Sequence, residues 1–159
     1  MRIVFVVVLA LTTPSMQVGA QTHPDFSGSW RYQTPVQSAK AGNTSPVPTA
    51  GWGAPLQTFV IKQTASELTL ESGSTRWVYK LDSSENVIPD PGNKDPGGPY
   101  PYKTKARWDG AKLLLYTRQG LNQMRDILAL NGGILDIIRD TEVPAGSGIA
   151  IPLVYTKTP

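Results

Sequence analysis

The chain has 159 residues, with 15 Lys and Arg against 12 Asp and Glu, a single His and no Cys. Without cysteine there is no disulfide and no thiolate metal site, so packing alone has to hold the fold together. The formal charge of +3 is small and dispersed, where phosphate-backbone binding needs a clustered basic stripe, and this argues against a nucleic-acid partner.

The first segment reads as an address. Met1-Arg2 supplies a positive start, residues 3–11 are an unbroken apolar run, Thr12, Thr13, Pro14 and Ser15 break it, and Val18-Gly19-Ala20 places small residues before Gln21. That is the three-part pattern of a secretory signal peptide. The run is far short of the ~20 residues that span a bilayer. Residues 1–20 are therefore expected to be removed, with no transmembrane segment remaining. The other 139 residues (159 minus 20) are one domain's worth, 21–159, expected in the periplasm or outside the cell.

Residues 26–32 form the first predicted strand, with Trp30 and Tyr32 on one side and Ser29 and Arg31 on the other. Residues 33–55 contain Pro35, Pro46, Pro48 and Pro55 and read as a long loop. A loop of that length in a small domain is unusual and is either functional or disordered. Strands follow at 56–63, with Phe59 and Ile61 alternating against polar residues, and at 67–71, with Leu68 and Leu70 on one face. A third at 75–81 puts Trp77, Tyr79 and Leu81 together. A period of two is the signature of a half-buried strand.

A second long loop, 82–101, carries Pro89, Pro91, Pro96, Pro99 and Pro101. Beyond it Tyr102, Thr104, Ala106 and Trp108 alternate against Lys103, Lys105 and Arg107, and Asp109-Gly110 turns the chain into a partner strand at 112–118. Strands at 125–130 and 134–140 flank Asn131-Gly132-Gly133. A closing strand at 149–157 contains Pro152, which cannot donate to a ladder and so predicts an edge or a bulge there. Eight or nine strands, mostly joined by short turns, predict an all-β fold. An up-and-down antiparallel barrel is expected, with a β-sandwich as the alternative. A membrane barrel needs a lipid-facing apolar band, and Lys103, Lys105 and Arg107 occupy the outward positions, so the barrel is expected to be soluble.

Ser27-Gly28-Ser29-Trp30, placed on the first strand after a short lead, resembles the Gly-x-Trp signature of the lipocalins among the calycin barrels. In that family the tryptophan closes one end of the barrel and a late arginine packs across its ring. The resemblance assigns that role to Arg139, a cation–π pair. The chain differs from many lipocalins in lacking cysteine and in its longer first loop. It also resembles small exported bacterial proteins of unassigned function, through Pro24-Asp25-Phe26-Ser27-Gly28-Ser29-Trp30, Tyr79-Lys80-Leu81-Asp82-Ser83-Ser84-Glu85, Trp108-Asp109-Gly110-Ala111-Lys112-Leu113 and Leu153-Val154-Tyr155-Thr156-Lys157.

Trp30, Trp77, Tyr79, Tyr102, Trp108 and Tyr155 share core-facing parity and, with Arg139, are the candidate ligand-binding set. Either they wall a cavity that takes an apolar or amphipathic molecule, or they fill the barrel themselves. Trp52, between two glycines in the first long loop, is expected to plug a barrel mouth. His23 stands alone in the lead and is expected to be solvated. Asp90, Asn93 and Asp95 are better explained by turn chemistry than by calcium. Asp82 and Glu85 read as a solvated loop, and Asn43-Thr44-Ser45 is a formal glycosylation sequon. Arg125 and Arg139 either bind an anion inside the barrel or, as the ordinary alternative, pair with Asp126, Asp136 or Asp140. No nucleophile stands beside a base, so no catalytic residue, metal or cofactor is implied. The leading expectation is a binder of a small apolar or amphipathic molecule; the other is a filled-core structural or interaction module of the cell envelope.

Overall fold

The computed structural model describes residues 23–33, 54–89, 101–142 and 149–159. Trp52, the Asp90–Asn93–Asp95 group, the sequon and the leader lie outside them. Ten antiparallel strands form one sheet: β1 Gly28–Gln33, β2 Thr58–Gln63, β3 Glu67–Ser72, β4 Thr75–Lys80, β5 Asn86–Ile88, β6 Tyr102–Asp109, β7 Lys112–Gln119, β8 Asn122–Asn131, β9 Ile134–Glu142 and β10 Ile149–Thr158. The order β4-β3-β2-β1-β10-β9-β8-β7-β6-β5 is a meander in which the first and last strands pair. The sheet curls until β4 meets β6, where the Thr104 hydroxyl and the Asn86 amide both donate to the Val78 carbonyl. The result is a nearly closed up-and-down barrel, not a sandwich.

The strand count exceeds the expected eight or nine because β5, only three residues long, lies inside the Pro-rich stretch read as loop. Strand β8 also begins three residues before the expected 125, at Asn122, just beyond a tight turn at Gly120. Gly110 (φ 59°) completes the predicted Asp-Gly hairpin. Pro152 pairs with Ile138 on β9, but β1 pairs with β10 only from Val154 to Thr158. Among the described residues the strand has one neighbour at Pro152, a local edge within a central strand.

Parity sorts the side chains as the pattern predicts. Leu113, Leu128, Ile137 and Leu153 oppose one another across four strands and are all buried. Phe59, Ile61, Leu68 and Leu70 supply the matching wall from β2 and β3. Alternating strand direction then sorts the connections. The short turns at Thr64–Ser66, Asp109–Ala111 and Asn131–Gly133 lie at one end, with the N-terminal lead. The chain between β1 and β2, β5 and β6, and β9 and β10 departs from the opposite end, the mouth.

Candidate functional site

The lead closes the first end. Phe26 is fully buried, and the Trp30 indole N–H donates to its carbonyl at 3.0 Å. Gln63 of β2 ties the lead down, accepting from the Phe26 N–H at 3.1 Å and donating to the Pro24 carbonyl at 2.9 Å. Trp108 lies between Phe26 and His23, whose ring stacks on it at 4.0 Å with an interplanar angle of 7°. His23 is exposed, as expected, and one face of its ring also covers an aromatic lid.

The cation over Trp30 is Lys157, with Nζ 5.8 Å from the ring centroid. Lys157 is directly opposite Trp30 in the β1–β10 register, whereas Arg139 is opposite Ile151. Six residues of strand, about 20 Å, separate those two rows, so the assignment of Arg139 to Trp30 is corrected. Gly28 has φ 150°, and a Cβ there would collide with Lys157 Cε, so the glycine leaves room for the side chain that crosses the tryptophan.

Arg139 belongs to the mouth. It is buried, and its guanidinium grips Asp126 directly across the β8–β9 ladder, Nε to Oδ1 at 2.8 Å and Nη2 to Oδ2 at 2.7 Å. Its Nη1 donates to the Ala54 carbonyl at 2.8 Å. Burial opposes the guanidinium charge, but the Asp126 carboxylate outweighs it and holds the arginine protonated above its ordinary range. Bidentate geometry is what allows such a pair inside a barrel. Beside it the Tyr79 hydroxyl meets the Thr117 hydroxyl at 2.8 Å, spanning the interior from β4 to β7. Burial pushes the Tyr79 phenol well above its usual pKa.

Above this polar floor is a cavity of about 240 Å³. Its walls are Leu56, Leu70, Trp77, Tyr102 and Met124, and its floor is Tyr79, Thr117, Asp126 and Arg139. That volume lies just under the usual range for ligand sites. Of the seven predicted site residues, Trp77, Tyr79, Tyr102 and Arg139 meet here. Trp30 and Trp108 form the closed end. Tyr155 is core: Phe59 meets it edge-on at 4.7 Å and Tyr32 at 5.5 Å. Burial raises its pKa, and among the described residues its hydroxyl has no hydrogen-bond partner of good geometry, although the Leu56 backbone, Arg139 and Asp126 are its polar neighbours.

Asp126 is the site residue that the candidate set omitted. Its signal was a carboxylate at inward parity, between Met124 and Leu128 and in register with the late arginine. Arg125 points outward and pairs with Asp140 at 2.7 Å. In the loop after β4, Asp82 accepts from the Ser84 N–H and hydroxyl, and Glu85 pairs with Lys103 at 3.1 Å. Among the described residues no three His, Asp or Glu side chains come together to hold a metal ion, and no helix is long and apolar enough to cross a membrane. No protein-family model matches the chain, and no curated protein matches it.

Proposed function

We propose that the protein is an exported, lipocalin-like barrel that binds one compact, uncharged amphipathic molecule at its mouth. The observation that carries this reading is the cavity of about 240 Å³ with apolar walls and a hydrogen-bonding floor. Trp77, Tyr102, Leu56, Leu70 and Met124 would bury the apolar body. The Tyr79–Thr117 hydroxyl pair and the Arg139–Asp126 ion pair would meet a polar end. Because guanidinium and carboxylate neutralise each other, a charged ligand headgroup would lose hydration without gaining a free counter-ion. A hydroxyl, carbonyl or amide fits better than a carboxylate. A filled-core structural module of the envelope, the other reading, would give this cavity and its polar floor no purpose.

The test is a fluorescence titration with N-phenyl-1-naphthylamine, an uncharged aromatic amine that brightens in apolar sites. Saturable one-to-one binding is expected, displaced by neutral amphiphiles and weakened by Met124→Trp, which fills the cavity from a half-buried position. Binding unchanged in a folded Met124→Trp protein, or no binding at all, would remove the proposal. Native mass spectrometry of the exported protein is the complementary measurement, because a co-purifying small molecule would identify the ligand class.

A further inference from the structure

A second concavity of the described structure, larger than the mouth cavity, is not inside the barrel. It is a groove of about 420 Å³ on the outer wall over β6, β7 and β8. The register lays its side chains out in rows. Lys105, Tyr116 and Arg125 oppose one another across three strands, Lys103 and Arg118 form the row toward the mouth, and Arg107 begins the row toward the closed end. Opposed residues on one face of a sheet are about 5 Å apart. Two of these five cations are neutralised, Lys103 by Glu85 and Arg125 by Asp140. Lys105, Arg107 and Arg118 are exposed and have no carboxylate partner among the described residues.

Three unpaired cations lining one concave surface repel each other unless an anion lies among them. The half-exposed ring of Tyr116 lies in the middle of the basic rows. A ligand that satisfies both features carries repeated negative charge and also flat-faced rings. Strand β6 carries its three cations over four residue steps, about 14 Å. That is too short for the many phosphate contacts that give duplex nucleic acid its affinity. A concave groove also suits a chain better than it suits a flat bilayer.

We propose that this outer wall is a second binding site, for a segment of an acidic glycan. Its carboxylate, sulfate or phosphate groups would meet Lys105, Arg107 and Arg118, and one sugar ring would stack on Tyr116. Thr117 and Met124 border both this groove and the mouth cavity, so one strand layer separates the two sites. The site does not depend on the mouth cavity being a ligand pocket.

The experiment is affinity measurement on the purified protein with polygalacturonate, a sulfated dextran, neutral dextran, inorganic polyphosphate, a single-stranded oligonucleotide and anionic phospholipid vesicles. The acidic glycans are expected to bind and neutral dextran is not, with affinity falling as salt rises. Lys105→Glu with Arg118→Glu should lower glycan affinity roughly tenfold, because two charge-assisted contacts become repulsive. Tyr116→Ala should lower it roughly fivefold, with Tyr116→Phe close to the native protein. Unchanged N-phenyl-1-naphthylamine binding, or an unchanged circular dichroism spectrum, shows that these exposed-wall variants are folded. Polyphosphate bound as tightly and indifferent to Tyr116 would overturn the glycan assignment. Tighter binding of the oligonucleotide or the vesicles, or no binding of either acidic glycan, would overturn it as well.

Discussion

The two ends of the barrel solve the same problem in opposite ways. At the closed end Trp30 is buried, hydrogen-bonded and crossed by Lys157, and the chain's own lead lies over Trp108. Nothing remains there to be bound. At the mouth, aromatic residues of the same inward parity, Trp77 and Tyr102, are only half-buried and surround open volume. The lesson is that an aromatic set facing into a barrel is not one site. Its members become core or wall according to what covers them, and among the described residues only the closed end has such a cover.

The largest expected effects sharpen this contrast directly. Trp30→Ala should destabilise by about 3–5 kcal/mol, as for a fully buried large side chain, and it also strands the Phe26 carbonyl. Trp77→Ala should cost about 1 kcal/mol, since much of that ring already faces open volume, yet it should weaken ligand binding. Chemical denaturation of both variants reads the difference. Equal losses would mean that the two ends are packed alike.

At the mouth the corresponding test is the ion pair. Asp126→Ala leaves the Arg139 guanidinium buried without its counter-ion and should cost about 3 kcal/mol or more. Asp126→Leu combined with Arg139→Met should recover most of that loss, because an apolar pair removes both desolvation penalties. If the double variant is no more stable than Asp126→Ala, the pair is holding Ala54 and the chain beyond it rather than compensating charge.

The sequence carried more of the fold than of the site, for a physical reason. Side-chain parity repeats every two residues, so the walls around Leu68, Tyr79 and Ala106 could be read from the pattern alone. Register between distant strands could not. Lys157 opposes Trp30 because β10 pairs with β1, a long-range pairing with no local signature, whereas Arg139 meets Asp126 inside the β8–β9 hairpin, whose tight turn sets that register locally. The resemblance therefore pointed to the wrong cation. Position along the barrel was partly legible: Trp108 immediately precedes the Asp109-Gly110 turn and Trp77 closely follows the Ser72-Gly73-Ser74 turn, and successive turns lie at opposite ends. Strand β5 was missed because three residues next to a proline-rich stretch carry too little pattern.

Two tyrosines give a smaller, opposed pair of effects. The Tyr79 hydroxyl is bonded to Thr117, whereas the Tyr155 hydroxyl is buried with no well-formed hydrogen bond among the described residues. Tyr79→Phe should destabilise by about 1–2 kcal/mol, and Tyr155→Phe should be neutral or stabilise by up to about 1 kcal/mol. Burial raises both phenol pKa values in the folded state. Their contribution is therefore intact below the ordinary phenol range near 10 and is lost as pH rises toward the folded values. A spectrophotometric titration should show two tyrosines resisting ionisation until the barrel unfolds. Six tyrosines titrating together near pH 10 would contradict the burial.

The smallest effect concerns Lys157, and it tests whether the closed end needs its cation at all. The ammonium lies over an indole but remains exposed, so the attraction is worth about 0.5–1 kcal/mol. Lys157→Met should cost that amount or less, because its thioether can still cover the ring. Lys157→Arg should match or exceed the native protein, since guanidinium stacks well on tryptophan. Gly28→Ala removes the space that the side chain crosses and imposes strain at φ 150°, so it should exceed Lys157→Met in cost. Thermal unfolding of the three variants decides the order. If Gly28→Ala proves harmless, the glycine is not there to admit Lys157, and the closed end is held by Trp30 and Phe26 without it.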